Sequence, residues 1–268
     1  MTAPPILSEQ QGHVLTLTLN RPERRNPIAD ATLVDALVSA LERADVDLNV
    51  RVVILTGAGS AFCSGGDLRQ MQAGAGGLVG DTPEQTRLNY QQGIQRIPRA
   101  IEALGVPVIA AVNGAAVGAG CDLACMCDIR IASEKARFAE SFVSLGLIPG
   151  DGGTWLLPRI VGFSQATEMA LTGEMIDAKQ ALSMGLVSRV VSAEALMETC
   201  HAVADKIARH PPQAVRMTRR MLRQSCNLTL DDTLEMAGRN QGVAHETRDH
   251  QEAVAAFLEK RDPVFSGQ

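Results

Sequence analysis

Residues 13–19, HVLTLTL, alternate apolar and polar side chains, which predicts a strand with one buried face. Asn26-Pro27 then opens a predicted helix through about Ala44, with Leu33, Ala36, Leu37, Ala40 and Leu41 recurring at helical spacing. RVVILT (51–56) and VPVIAAV (106–112) are short runs rich in β-branched residues and predict buried strands. CDIRIA (127–132) predicts a third. Each of the first two leads into a Gly-rich loop, GAGSAFCSGGDL and NGAAVGAG, and the second loop leads into a helix from about Ala119. Residues 84–104 read as one helix, and 72–82 (QAGAGGLVGDT) as a loose loop. From about Ser164 the pattern is helical, with one strand near 186–191, a break at His210-Pro211-Pro212 and an end near Lys260. The result is a β/α core followed by helices.

Composition narrows this picture. The chain has 268 residues, 46% of them hydrophobic, enough for a sizeable core. Only 3% are aromatic, so aliphatic side chains must fill it. A net charge of −5 argues against a nucleic-acid footprint. The Arg-rich stretch QAVRMTRRMLRQ (213–224) reads as the polar face of an amphipathic helix, with Val215, Met217, Met221 and Leu222 buried. Met1 to Leu7 lacks a leader pattern and no apolar run reaches about 18 residues, so a soluble cytoplasmic protein without membrane contact is expected. Cys121, Cys125 and Cys127 lie in an apolar run without paired metal-ligand spacing, and reduced buried thiols with no metal are expected.

The two Gly loops are the candidate chemistry. Small residues let a ligand approach the backbone. A helix N-terminus offers unpaired N–H groups and a partial positive charge. One such loop is an ordinary turn or an anion site; two that converge suit a developing oxyanion.

PVIAAVNGAAVGAGCDLACMCDIRIASEKARFA resembles the central signature of the crotonase (enoyl-CoA hydratase/isomerase) superfamily, and AFCSGGDL its upstream loop. NRPERRNPI, LGLIPGDGGTWLLPRIVG, MALTGEMIDAKQALSMGLVSRVV and AFLEKRDPVF follow the same family pattern in order. The resemblance implies an α/β fold, a crotonase-like spiral of ββα units over residues 1–195. It also implies a helical C-terminal trimerisation region over 196–268, assembled as a homotrimer or dimer of trimers. It implies an acyl-CoA thioester as substrate, no permanently bound cofactor, and oxyanion donors at the backbone N–H groups of Gly66 and Ala119.

Hydratases of this family use two glutamates, and the matching positions here are Asp122 and Phe142. Asp122 is therefore a candidate base, or a residue that only satisfies its helix end. Glu140 and Asp151 are further candidate acids, Asp151 lying one position after the place where some relatives carry a catalytic Asp; it also reads as a helix cap. Coenzyme A contacts are expected from Arg24, from the segment Ser64, Gly65, Gly66, Asp67, Leu68, and from Lys260. Met71, Phe142 and Leu145 are candidate acyl-pocket residues, and Trp155 is expected in the core. The simplest reading is an enoyl-CoA hydratase acting through a thioester enolate. Double-bond isomerisation by one carboxylate, hydrolysis or dehalogenation, and a non-catalytic acyl-CoA-binding protein are the alternatives.

Overall fold

The computed structural model describes residues 3–28, 30–67 and 77–268. Its large sheet has the order β1-β2-β3-β5-β7-β10. Strand β1 (Ile6–Gln11) runs antiparallel to β2 (Val14–Leu19). From β2 onward, β3 (Val52–Gly57), β5 (Val108–Val112), β7 (Ile129–Ser133) and β10 (Arg189–Val191) are parallel. A smaller sheet has the order β4-β6-β8-β9: Ala61–Cys63, Ala115–Val117, Arg137–Ala139 and Ile176–Asp177. Three times in succession, β3–β4, β5–β6 and β7–β8, a large-sheet strand is followed by a small-sheet strand. This is the spiral that the resemblance implied.

The unbroken apolar runs are explained by burial on both faces of the large sheet. Leu17, Val53, Leu55, Val108 and Ala110 pack on one face, with Leu37 and Leu41 of α1 (Ala31–Val46) and Leu123 of the helix Ala119–Met126. Val14, Val52, Ile54, Ile109 and Ala111 project to the other, against Leu196, Cys200 and Ala204. Those last three belong to Leu196–Ala208, the helix that opens the stretch 196–268.

Several local expectations change. The residues 84–104 form two helices, α2 (Pro83–Gln92) and α3 (Arg96–Ala103), because the chain turns at Gly93. The Gly-rich loops each contain a three-residue strand, β4 and β6, too short for any periodicity to show. Asn26 does not open α1, which is capped by Asp30 accepting from the N–H of Leu33 at 3.1 Å. Instead Asn26 is buried with φ +57°, and its Nδ2 donates to the carbonyls of Ala58 and Ala61, both at 2.9 Å. It ties the exit of β2 to the β3–β4 turn.

The helices continue as α4 (Ala119–Met126), α5 (Gly153–Val161), α6 (Phe163–Thr172), α7 (Ala178–Ser183), α8 (Leu196–Ala208), α9 (Pro212–Ser225), α10 (Leu230–His245) and α11 (Arg248–Glu259). The Arg-rich α9 departs from expectation in part: Val215, Met217 and Met221 are half-buried, but two of its arginines are buried more deeply. Arg216 and Arg219 are 4% and 5% exposed, while Leu222 is 67% exposed. The reason is that the last carbonyls of a helix lack partners within it. Arg216 donates to the Asp45 carbonyl at the end of α1 (2.6 Å). Arg219 donates to the carbonyls of Ile101 (2.8 Å) and Leu104 at the end of α3. Arg223 donates to the Met126 carbonyl at the end of α4 (2.6 Å). Asp128 accepts from both Arg219 (2.7 Å) and Arg223 (2.9 Å). Removing one partner of such a buried set strands the others. Arg219→Met, which keeps most of the apolar stem, is expected to lower stability by about 3 kcal/mol. The midpoint and slope of a denaturant titration measure it, and an unchanged midpoint would show the clamp to be idle.

Candidate active site

The register of the small sheet brings the two loops together. β4 pairs in parallel with β6, Ala61 opposite Ala115 and Cys63 opposite Ala116. Both strands therefore release their loops at the same edge. Gly65 has φ +79°, and a Cβ there would stand 2.5 Å from the Val117 carbonyl oxygen and 3.1 Å from the Ala119 nitrogen. Only glycine permits this contact between loops. Gly118 (φ +53°) is the N-cap of α4, held by its N–H on the Ala139 carbonyl at 2.8 Å. Ala119 is then the first helical residue, whose N–H has no acceptor in its own helix.

Gly66 and Ala119 line one cavity of about 120 Å³. Ser64, Phe142, Leu145 and Asp151 line it too. The Phe142 ring lies over Gly118, where an added Cβ would be 3.7 Å from it. Arg24 pairs with Asp67 beside Gly66, and Ser64 donates through its N–H to the Arg25 carbonyl at 2.9 Å. The RPERRN turn and the SGGD loop are thus one unit at the cavity edge. Leu68 and Met71 lie outside the described residues. Lys260 is the exposed, left-handed C-cap of α11 and is not part of the cavity wall. Trp155, expected in the core, is 38% exposed and stacks with the Arg159 guanidinium 4.1 Å above its ring. The cysteines of the CDLACMCDI run are buried, unpaired thiols.

Tyr90 is the site residue that sequence reading missed. It is the single tyrosine of the chain, comes from α2, and lines the cavity with Ile94 and Leu78. Its ring packs against Gly150, where a Cβ would approach Cε1 to 2.7 Å, and Gln95 donates to the Gly150 carbonyl at 2.7 Å. These contacts fix the PGDGG turn and with it Asp151. Nothing local in the sequence links position 90 to position 150. The usable signal was the rarity of tyrosine in a chain with so few aromatic residues.

The three acids form one buried group. Asp122, Glu140 and Asp151 are 0%, 1% and 2% exposed. Asp151 reaches the cavity wall, and Asp122 sits behind it, against the backbone of Gly153. Glu140 lies beyond Asp122, in the wall of a separate cavity of about 210 Å³. Asp151 does not cap α5, whose N-cap is Gly152. As carboxylates the three offer acceptors and no donor, and none of their six oxygens receives a hydrogen bond. A proton on one member of each touching pair turns the contact into a hydrogen bond. Burial, and then the charges of Asp151 and Glu140, push the Asp122 carboxyl well above the usual carboxylate range. Burial raises Asp151, and it raises Glu140 to about 7. Such a site can hold and move protons near neutral pH, beside amide groups suited to an oxygen that gains charge.

A ββα spiral with two converging backbone loops above buried acids defines the site of a crotonase-superfamily protein. The family model described as enoyl-CoA hydratase/isomerase matches residues 9–268, and the chain belongs to that family. It is 40% identical over 264 residues to a 2,3-dehydroadipyl-CoA hydratase of Escherichia coli (strain K12), covering 98% of each chain. It is 38% identical over 263 residues to a 1,2-epoxyphenylacetyl-CoA isomerase of the same organism, again covering 98% of each. Its fold matches the crystal structure of an enoyl-CoA hydratase from Bacillus anthracis with a TM-score of 0.91. That match has 36% identity over 98% of this chain and 100% of the other.

The buried acids carry a stability consequence. A carboxyl whose folded value is raised from 4.5 to about 7 contributes most stability while protonated. That contribution is complete below about pH 4.5 and is lost as pH rises through about 7. Glu140→Gln removes the ionisation and keeps the size. The variant is expected to match the parent near pH 4.5 and to exceed it at pH 8 by on the order of 3 kcal/mol. Denaturant titrations at the two pH values measure this, and a gap that does not grow with pH would contradict it.

Proposed function

We propose that the chain is an enoyl-CoA hydratase that works through an enolate held at the backbone N–H groups of Gly66 and Ala119. The observation that carries the reading is the meeting of both loops in one cavity with Asp151 on its wall. Relatives named as hydratases over nearly the full chain support it. A thioester carbonyl that accepts both hydrogen bonds gains negative charge as water attacks C3, and fixed donors stabilise that charge. Asp151 takes the proton from the attacking water and returns a proton to C2 of the enolate. One carboxyl suffices if it acts first as base and then as acid, and its raised affinity for protons suits both roles. Phe142, in place of a second carboxylate, keeps the opposite wall apolar. Arg24 and the backbone of residues 64–68 are assigned to the coenzyme's polar end, with Lys260 as a contact for its own or a neighbouring copy.

Double-bond isomerisation is the second reading. It is favoured by the fact that, of the three clustered acids, only Asp151 lines the cavity. An isomerase needs one group to carry a proton between C4 and C2. Product analysis separates the two: a four-carbon 2-enoyl-CoA becomes its 3-hydroxy derivative with a hydratase, whereas a 3-enoyl-CoA becomes the 2-enoyl isomer with an isomerase.

The region 196–268 is assigned to oligomerisation, as a homotrimer or pair of trimers. Exposed apolar side chains of α10 and α11, including Leu230, Leu234, Phe257 and Leu258, support this. The unpaired thiols fit a reducing cytoplasm. No described helix is long and apolar enough to cross a membrane.

Asp151→Asn is expected to lower kcat by about 10²–10⁴ with little change in thioester affinity. Ala119→Pro, which removes the N–H, is expected to cost about 10²–10³ in kcat. Ala119→Gly keeps that N–H and should retain most activity. Steady-state kinetics, with circular dichroism to confirm folding and calorimetry for thioester affinity, provide the check. A folded Ala119→Pro enzyme of full activity would refute the oxyanion role.

A further inference from the structure

The three buried acids form a chain whose ends face different spaces. Asp122 is within hydrogen-bond reach of Asp151 on one side and of Glu140 on the other. Asp151 lines the 120 Å³ cavity with Gly66 and Ala119. Glu140 lines the 210 Å³ cavity between α5 and α6, and the two walls share no residue. At about 30 Å³ per molecule the second cavity has room for several waters. Thr154 and Thr167 also line it, so a water there has polar partners besides Glu140. The Thr167 hydroxyl donates to the Phe163 carbonyl at 2.7 Å and keeps its lone pairs for such a water. Phe163 and Leu171 stand exposed in the same wall.

We propose that Asp151, Asp122 and Glu140 are a proton relay from the substrate cavity to this second cavity, with Glu140 as its outer end. The inference rests on the enolate reading above. It concerns the enolate alone: hydration returns to C2 the proton that Asp151 takes from water, whereas a proton taken from C2 of a saturated thioester has to leave by a route other than the cavity the thioester fills. With Asp122 protonated at rest, Asp151 takes a proton from C2 of a bound thioester, leaving an enolate. Asp122 passes its own proton to the Glu140 carboxylate and accepts the one on Asp151. Glu140 then releases a proton to water in the second cavity. One proton leaves, Asp151 regains its negative charge, and nothing is oxidised or reduced. Glu140 does not touch the substrate in this scheme and acts through Asp122.

The surroundings suit proton sharing. Cys121 and Cys125 approach from α4, Tyr90 from α2, and Thr154 and Thr167 from α5 and α6. The largest charges felt by the three carboxyls, among the described residues, are one another's. Like charges packed this closely favour a shared proton, because it neutralises one member of each contact.

The test is exchange of the C2 hydrogens of a saturated thioester, butyryl-CoA, for deuterium in heavy water, followed by mass spectrometry. The full-length parent enzyme should exchange them. Glu140→Gln should bind butyryl-CoA with unchanged affinity and exchange at least about tenfold more slowly. Its pH–rate profile should lose its step near pH 7, because the group raised to that value is gone. The double variant Thr154→Val, Thr167→Val, which dries the second cavity, should also slow exchange. Exchange at the parent rate in Glu140→Gln overturns the relay. If the parent itself exchanges nothing, the enolate reading fails. Infrared titration of protonated carboxyls in the unliganded protein then decides the relay: loss of one titrating step in Glu140→Gln supports a shared proton, and a spectrum identical to the parent's overturns it.

Discussion

The pairing of β4 with β6 is the constraint on which the site depends. These strands have three residues each, yet their parallel pairing, with a bulge between Ala61 and Cys63, sends two loops out of one edge. The loops then touch at Gly65, close enough that no side chain fits between them. A shift of one residue in that pairing would turn each strand's side chains over and separate Gly66 from Ala119. Such short strands have little hold of their own. Their position is imposed from outside, by Asn26 clamping the β3–β4 turn and by the large sheet that precedes each of them in the spiral.

The same division holds along α4. Its C-terminal end is tied down by Arg223 and Asp128, which also engage Arg219, so cations complement the helix end where the partial charge is negative. Its first turn carries Asp122, and an acid there is favoured by the dipole by about 0.3–1 kcal/mol. Burial opposes ionisation more strongly than the dipole favours it, which is why Asp122 is raised instead of lowered. The chain uses buried arginines to neutralise acids at the far ends of α1, α3 and α4, and among the described residues none pairs with the three acids at the cavity. Cations serve where rigidity is needed, and shared protons take their place where a proton must move.

The sequence made the long, periodic parts of this architecture readable. The strands at 13–19, 51–56 and 106–112, the start of α4 at Ala119 and the break at His210-Pro211-Pro212 appear at or near the expected positions. Their hydrophobic runs are set by burial on both faces of one sheet, a property that any window of the chain displays. The short strands β4, β6 and β8 escape that reading because three residues cannot show a period. Arg216 and Arg219 escape it for a different reason. A helix is assumed to bury its apolar stripe, but α9 buries the stripe that satisfies other helices' carbonyls, and those carbonyls are more than a hundred residues away. Asp151 and Tyr90 meet through the fold alone. The motif resemblance led to the acids at 122, 140 and 151, whereas which of them faces the cavity depends on how the PGDGG turn packs on α2.

Phe142 completes this arrangement. A second carboxylate on the cavity wall would share the attacking water with Asp151. A phenyl ring over Gly118 offers no hydrogen bond, so the acids have been moved off that wall and stacked behind Asp151. The cost of burying them is that neither Asp122 nor Glu140 ionises freely, since burial penalises the charged form of each. That cost is also what lets the group serve a mobile enolate. All three carboxyls are pushed toward the protonated form, so each can hold a proton that its neighbour releases. The apolar wall and the buried acids are therefore one design, in which the cavity offers the thioester an apolar face and the proton relay runs beneath it.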